Sequence, residues 1–205
     1  MDRILFKPPD NISRVIGTAS IISFLGALLG GAYGYSIHEK KVNKDIFTIS
    51  QALAFGNQYI MVVFFTLAFM GIIFLNFYRS PKKLLIIRVL LLILMYAFLI
   101  TIIWITTFKN EKLHYVFAGI IFLSNLVYVS ILTYVYQKYL KDKASYKTYL
   151  LDLNLMFAFA AMVIILVFGI FESDNRTNLD DAIFASTENF NVIITATTLL
   201  FLTFI

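Results

Sequence analysis

Two side chains able to act as an acid–base pair stand inside otherwise apolar sequence. One is His114, at the start of LHYVFAGIIFLSN; the other is Glu188, in ASTENFNVIITATTLLFLTFI. Glu188, Asn191, Thr195 and Thr198 are spaced three, four and three residues apart, so on a helix they share one face. That face must look into protein, because polar groups turned to lipid are costly. His114, Ala118 and Asn125 share a face in the same way. Ser50, Gln51 and Asn57 precede a further apolar run. If the runs cross a membrane alternately, Ser50, Gln51, Asn57, His114 and Glu188 gather on its outer side, with Asn125 and Asn191 further along the same helices. Such a cluster has three chemistries open to it. It can clasp helices together, at about 0.6–2 kcal/mol per contact; it can bind a lipid headgroup; or His114 and Glu188 can exchange protons with a substrate. The chain carries no GxSxG, no HExxH and no multi-histidine spacing, so no nucleophile or metal motif accompanies the pair.

The elements that must position these residues are long apolar runs. Of 205 residues, 60% are hydrophobic and 14% charged, against about 45–50% and 25% in soluble domains. The excess falls in stretches of about 20 residues, the length at which a helix crosses a hydrocarbon core of roughly 30 Å. Six spans are expected, near 15–37, 58–77, 84–108, 113–136, 150–171 and 182–205, forming one all-α, six-helix transmembrane bundle. The first run is too long for a signal-peptide core and reads as a signal anchor.

Lys and Arg in the short loops set the orientation. Arg3, Lys7, Arg14, Arg79, Lys82, Lys83, Arg88, Lys138, Lys141, Lys143 and Lys147 fall on one side; Lys40, Lys41, Lys44, Lys109, Lys112 and Arg176 fall on the other. Both termini are therefore expected on the cytoplasmic (or matrix) side. This distribution explains the net charge of +5 without a nucleic-acid partner. With no cysteine, disulfides and thiolate chemistry are excluded.

Gly26, Gly30 and Gly34 recur every fourth residue in the first run. This small-residue face admits a close helix neighbour, either within the bundle or in a second copy or partner protein. Asp152, at the inner start of the fifth run, is expected beside a lysine such as Lys147 or Lys138. Asn178 is a candidate cap for the last helix, with Asp180 and Asp181 in its first turn. The basic, aromatic loop QKYLKDKASYK faces the inner leaflet, where each cation attracts anionic lipid by about 1 kcal/mol.

At these residues the chain resembles the damage-regulated autophagy modulator (DRAM)/Frag/Sfk group of six-span proteins, which includes a GPI-anchor remodelling factor. The resemblance lies in Ile49-Ser50 within FTISQALAFGNQY, in His114, Ala118 and Phe122 at helical spacing, and in Ala185-Ser186-Thr187-Glu188 followed by Phe190. The family's Pro-Glu after the Ile-Ser motif is absent, and Asn189 stands where its aromatic would follow the Glu. The resemblance implies six helices, a cytosolic N-terminus and a long first outer loop. It further implies a non-catalytic regulator or scaffold in an endomembrane or the plasma membrane, bound to phospholipids and to other membrane proteins or a second copy of itself. Two alternatives stand beside it: a structural subunit of a large membrane complex, such as a respiratory assembly in the mitochondrial inner membrane, and a lipid-modifying or GPI-anchor-processing enzyme built on His114 and Glu188. No cofactor is expected under the first reading.

Overall fold

The computed structural model describes residues 7–42, 58–79, 82, 84–104, 111–139, 146–170 and 192–204, and all of its regular structure there is helical. In chain order the helices are α1 (Asn11–Val42), α2 (Gln58–Arg79), α3 (Leu85–Trp104), α4 (Glu111–Tyr139), α5 (Tyr146–Ile170) and α6 (Val192–Phe204). Four stretches, Asn11–Gly31, Gln58–Arg79, Leu85–Trp104 and Val116–Lys138, are long and apolar enough to cross a membrane. Thr148–Ile164 and Val192–Phe204 are shorter apolar helical stretches. Large apolar side chains cover the outside: Val63, Leu67, Met70, Phe74 and Phe77 on α2, and Ile86, Leu90, Ile93 and Leu94 on α3, are all exposed. That pattern is inverted relative to a soluble bundle, and fits hydrocarbon as the solvent. The protein is an all-α, polytopic integral membrane protein.

Why α1 begins at Asn11 is local chemistry. Pro8 and Pro9 cannot extend a helix backwards, and Asp10 caps the helix: its Oδ1 accepts from the Ser13 amide at 2.8 Å. Ser13 Oγ in turn accepts from the Asp10 amide at 3.0 Å. This is a capping box with serine in place of the usual Glu or Gln. α2 and α3 are joined by a short turn through Leu84, whose φ is +56°, a left-handed conformation rare for a bulky residue. The Leu84 carbonyl accepts the Arg88 amide at 3.1 Å, so the strained residue is also the one from which α3 starts.

Consecutive helices pack as neighbours, α1 on α2, α2 on α3, α3 on α4 and α4 on α5. The last helix enters among the others. Gly17 of α1 abuts Thr203, Tyr136 of α4 meets Phe201 edge-on at 4.7 Å, and Asn154 of α5 bonds Thr197. Apolar helices gain little from burying apolar surface against one another in lipid, so close approach and hydrogen bonds must supply the contact. The closest approaches are at Gly17 and Gly71. A Cβ at Gly17 would lie 2.5 Å from Thr203 Cβ, and one at Gly71 would lie 2.9 Å from Ser20 Cβ and nearer still to its hydroxyl. Gly26 and Gly30 face Phe64 and Ile60 of α2 at the looser distances of 3.2 and 3.7 Å. In α4, nothing among the described residues lies within 4 Å of a Cβ added at Gly119.

Alanine at either tight position should therefore force two helices apart. Gly17→Ala and Gly71→Ala are each expected to cost about 1–3 kcal/mol, whereas Gly119→Ala should be neutral or slightly stabilising. Thermal unfolding of the three variants in mild detergent checks this ordering.

A buried polar core at one end of the bundle

The helices bring their polar side chains together at one end of the bundle. It is the end holding the N-terminal segment, the α2–α3 turn, the last turns of α4, the start of α5 and the last turn of α6. At its centre is Arg88, one turn into α3 and 0% exposed. Its Nη1 donates to Asn76 Oδ1 of α2 at 3.3 Å. The Asn76 amide donates to the Tyr128 hydroxyl of α4 at 2.8 Å and to the Ile72 carbonyl of its own helix at 3.0 Å. Asn76 and Tyr128 are also buried. Asn76 of α2 thereby joins Arg88 of α3 to Tyr128 of α4.

Arg79, the last residue of α2, is 3% exposed and joins both ends of the chain. Its Nε donates to the Lys7 carbonyl at 3.0 Å, and its own carbonyl accepts the Lys7 amide at 3.0 Å. Its Nη1 donates to the Leu202 carbonyl. That carbonyl is among the last four of α6, which have no partner within the helix, and a cation there is favoured by the helix dipole. One guanidinium thus caps α6 and pins the segment leading into α1.

A smaller network lies at the rim. Lys7 Nζ is 3.1 Å from Asp10 Oδ2, donates to the Tyr78 hydroxyl and lies 3.7 Å from the Tyr78 ring centre. The Tyr78 hydroxyl donates in turn to Asp10 Oδ2 at 2.5 Å. The Tyr78 hydrogen bond, then the Ser13 amide and Lys7, hold the Asp10 carboxyl well below the usual carboxylate range. The Tyr78 hydroxyl and Asp10 raise the Lys7 pKa above its ordinary value.

Across the bundle, Thr197 donates to Asn154 Oδ1 at 2.6 Å, joining α6 to α5, and Gln137 donates to Asp152 Oδ1 at 2.8 Å, joining α4 to α5. Asp152 thus has an amide partner, and Lys138 donates to the Tyr134 hydroxyl at 3.1 Å. The Lys147 side chain lies outside the described residues.

The residues singled out from sequence fare differently. His114 stands in the first turn of α4, but its side chain lies outside the described residues. Ser50, Gln51, Asn57, Glu188 and Asn191 lie outside them altogether, as do Asn178, Asp180 and Asp181. Asn125 is buried on α4, Thr198 is buried on α6 and Thr195 is half-buried. At the opposite end from Arg79, Gln58 donates to the Ile103 carbonyl at 2.9 Å, and Trp104 packs edge-on against Tyr59 at 5.5 Å. Sequence reasoning passes over Asn76 and does not foresee the burial of Arg79, Arg88 and Tyr128. Arg79 and Arg88 were read as loop charges that set orientation. The available signal was their place inside or at the very end of apolar runs, where an ionisable residue is costly and calls for a partner.

Among the described residues, no three His, Cys, Asp or Glu side chains come together as metal ligands. The buried core is made of guanidinium, amide and hydroxyl groups. Its chemistry is hydrogen bonding and attraction for negative charge. Comparison with known protein families, curated proteins and solved structures finds no match to this chain.

The rim network has a pH signature. Because the Asp10 pKa is lowered on folding, its contribution is present above the unfolded value, near pH 4, and is lost as pH falls through the folded value. Lys7 is raised, so its contribution is full below its unfolded pKa and lost as pH rises through the folded one. The melting temperature of the wild type should fall on acidification below about pH 4 more steeply than that of Asp10→Asn. Parallel acid limbs for the two proteins would contradict the assignment.

Proposed function

We propose that the protein is a non-catalytic, six-span membrane regulator or scaffold that works by packing its helices against partner proteins and lipids. The observation that carries this reading is the direction in which its polar groups point. Asn76, Arg79, Arg88, Tyr128 and Asn154 turn inward and bond across helices, while the outward faces of α1, α2 and α3 are apolar. Such a molecule spends its polar chemistry on holding itself together and offers its surroundings apolar helix surface.

Six crossings are supported by the clasp itself. Arg79 bonds both Lys7 and Leu202, so the chain returns to the end from which it started, and an even number of crossings lies between. The clasped end also holds Lys7, Arg14, Arg79, Lys82, Arg88 and Lys138, which favours the cytoplasmic side for both termini. Membership of the DRAM/Frag/Sfk group, and with it an endomembrane or plasma-membrane location, belongs to the same proposal and rests on the Ile49-Ser50, His114 and Glu188 motifs.

Purification in mild detergent, with co-purifying proteins and lipids identified, tests the reading. A monomer, dimer or small complex carrying phospholipid is expected, and His114→Ala and Glu188→Gln should leave cellular lipid and GPI-anchor profiles unchanged. A stoichiometric assembly of many subunits would make the protein a structural subunit instead, and altered lipid or GPI-anchor profiles would make it an enzyme.

A further inference from the structure

From the charges at the clasped end we infer that the corner formed by the start of α1 and the α2–α3 turn binds anionic phospholipid headgroups, with Arg14 and Lys82 as the contacting groups. This rests on the membrane-scaffold reading above and names the lipid class that one surface engages.

Arg14 and Lys82 are both exposed, and among the described residues neither side chain makes a hydrogen bond or ion pair. They share one corner. The Arg14 amide bonds the Asp10 carbonyl at 3.0 Å, Asp10 bonds Tyr78, and Lys82 follows Arg79 by three residues. The carboxylate one turn before Arg14 is already engaged, because Asp10 accepts from Tyr78, from the Ser13 amide and from Lys7. Behind them lies Arg79, buried, with its hydrogen bonds made to the neutral carbonyls of Lys7 and Leu202. A buried charge is screened by salt far less than an exposed one, so its field adds to that of the two surface cations. Among the described residues, this corner carries Lys7, Arg14, Arg79 and Lys82 against Asp10.

The surroundings decide between a lipid and an acidic protein segment. Ile12 and Val15 flank Arg14 in the chain, and Phe77 and Ile86 lie on either side of the turn that carries Lys82; all four are exposed, at 54%, 69%, 57% and 74%. Cations set directly against open apolar surface fit a ligand with a negative head and a hydrocarbon tail. A water-soluble acidic peptide would leave that apolar surface uncovered. Arg14 lies one turn inside α1 and Lys82 just beyond α2, so both long side chains can extend to headgroup level while their stems stay in apolar surroundings.

The test uses the full chain reconstituted in phosphatidylcholine, with spin-labelled phosphatidylserine and spin-labelled phosphatidylcholine compared as boundary lipids. The wild type should select phosphatidylserine, by about fivefold for each contacting cation, the factor for ~1 kcal/mol. The preference should collapse towards unity in the double variant Arg14→Gln/Lys82→Gln and in about 1 M salt. Helix content and melting temperature should stay at wild-type values, since neither side chain has a bond to lose. No preference in the wild type, or an undiminished one in the folded double variant, would overturn the inference. So would an acidic protein that co-purifies with the wild type and is lost from the double variant, in the absence of lipid selectivity. None of these results touches the scaffold reading, which stands or falls on the composition of the purified complex.

Discussion

A guanidinium enclosed between apolar helices is the constraint on which the rest of this bundle depends. At the centre of a membrane helix an arginine costs about 2.5–3.5 kcal/mol on insertion scales. A hydrogen bond to such a buried charge contributes about 1.5–3 kcal/mol. Arg88 is completely enclosed, and the Asn76 amide that receives it is itself fixed by Tyr128. The depth and rotation of α2, α3 and α4 relative to one another are therefore tied to a single hydrogen-bonded chain. Apolar packing in lipid would leave that choice weakly specified, because one greasy face meets a neighbour about as well as another.

Arg79 extends the same logic from three helices to the whole chain. Its two acceptors are backbone carbonyls at opposite ends of the sequence, so it closes the bundle much as a disulfide closes a loop, in a protein that has no cysteine. The glycines work alongside it. Thr203 sits one residue beyond Leu202 and presses on Gly17, while Ser20, one helical turn from Gly17, presses on Gly71 of α2. Electrostatic closure and steric closure thus meet in the same few residues of α1, α2 and α6. At the rim, Asp10 joins them by capping α1 and accepting from Tyr78 of α2.

Much of this architecture is legible in the sequence, and the part that is not has a physical reason. Apolar run length identifies the helices because the hydrocarbon thickness imposes it. Gly26 and Gly30 lie against Phe64 and Ile60 of α2. Gly17 and Gly71 escape notice because each acts singly, and its partner is a hydroxyl on another helix rather than a repeat along its own. The Arg79–Leu202 contact escapes for a stronger reason: its acceptor is a backbone carbonyl, which any residue supplies. Arg88 was visible but misassigned. A charge four residues from Leu84 reads equally well as the edge of a loop, and only the packing of α2 and α4 around it shows that it is inside. The polar pair His114 and Glu188, conspicuous in sequence, falls outside the described side chains.

The central claim is that Asn76 and Arg88 form one energetic unit. Unfolding free energies of Asn76→Leu, Arg88→Met and the double variant, measured in the same detergent, test it most directly. The account predicts that Asn76→Leu alone costs about 1.5–3 kcal/mol by removing a hydrogen-bond acceptor from a buried cation. The double variant should then lose less than the sum of the two single variants by at least about 0.5 kcal/mol. Losses that add to within about 0.3 kcal/mol would mean that the two residues act independently, and would contradict it.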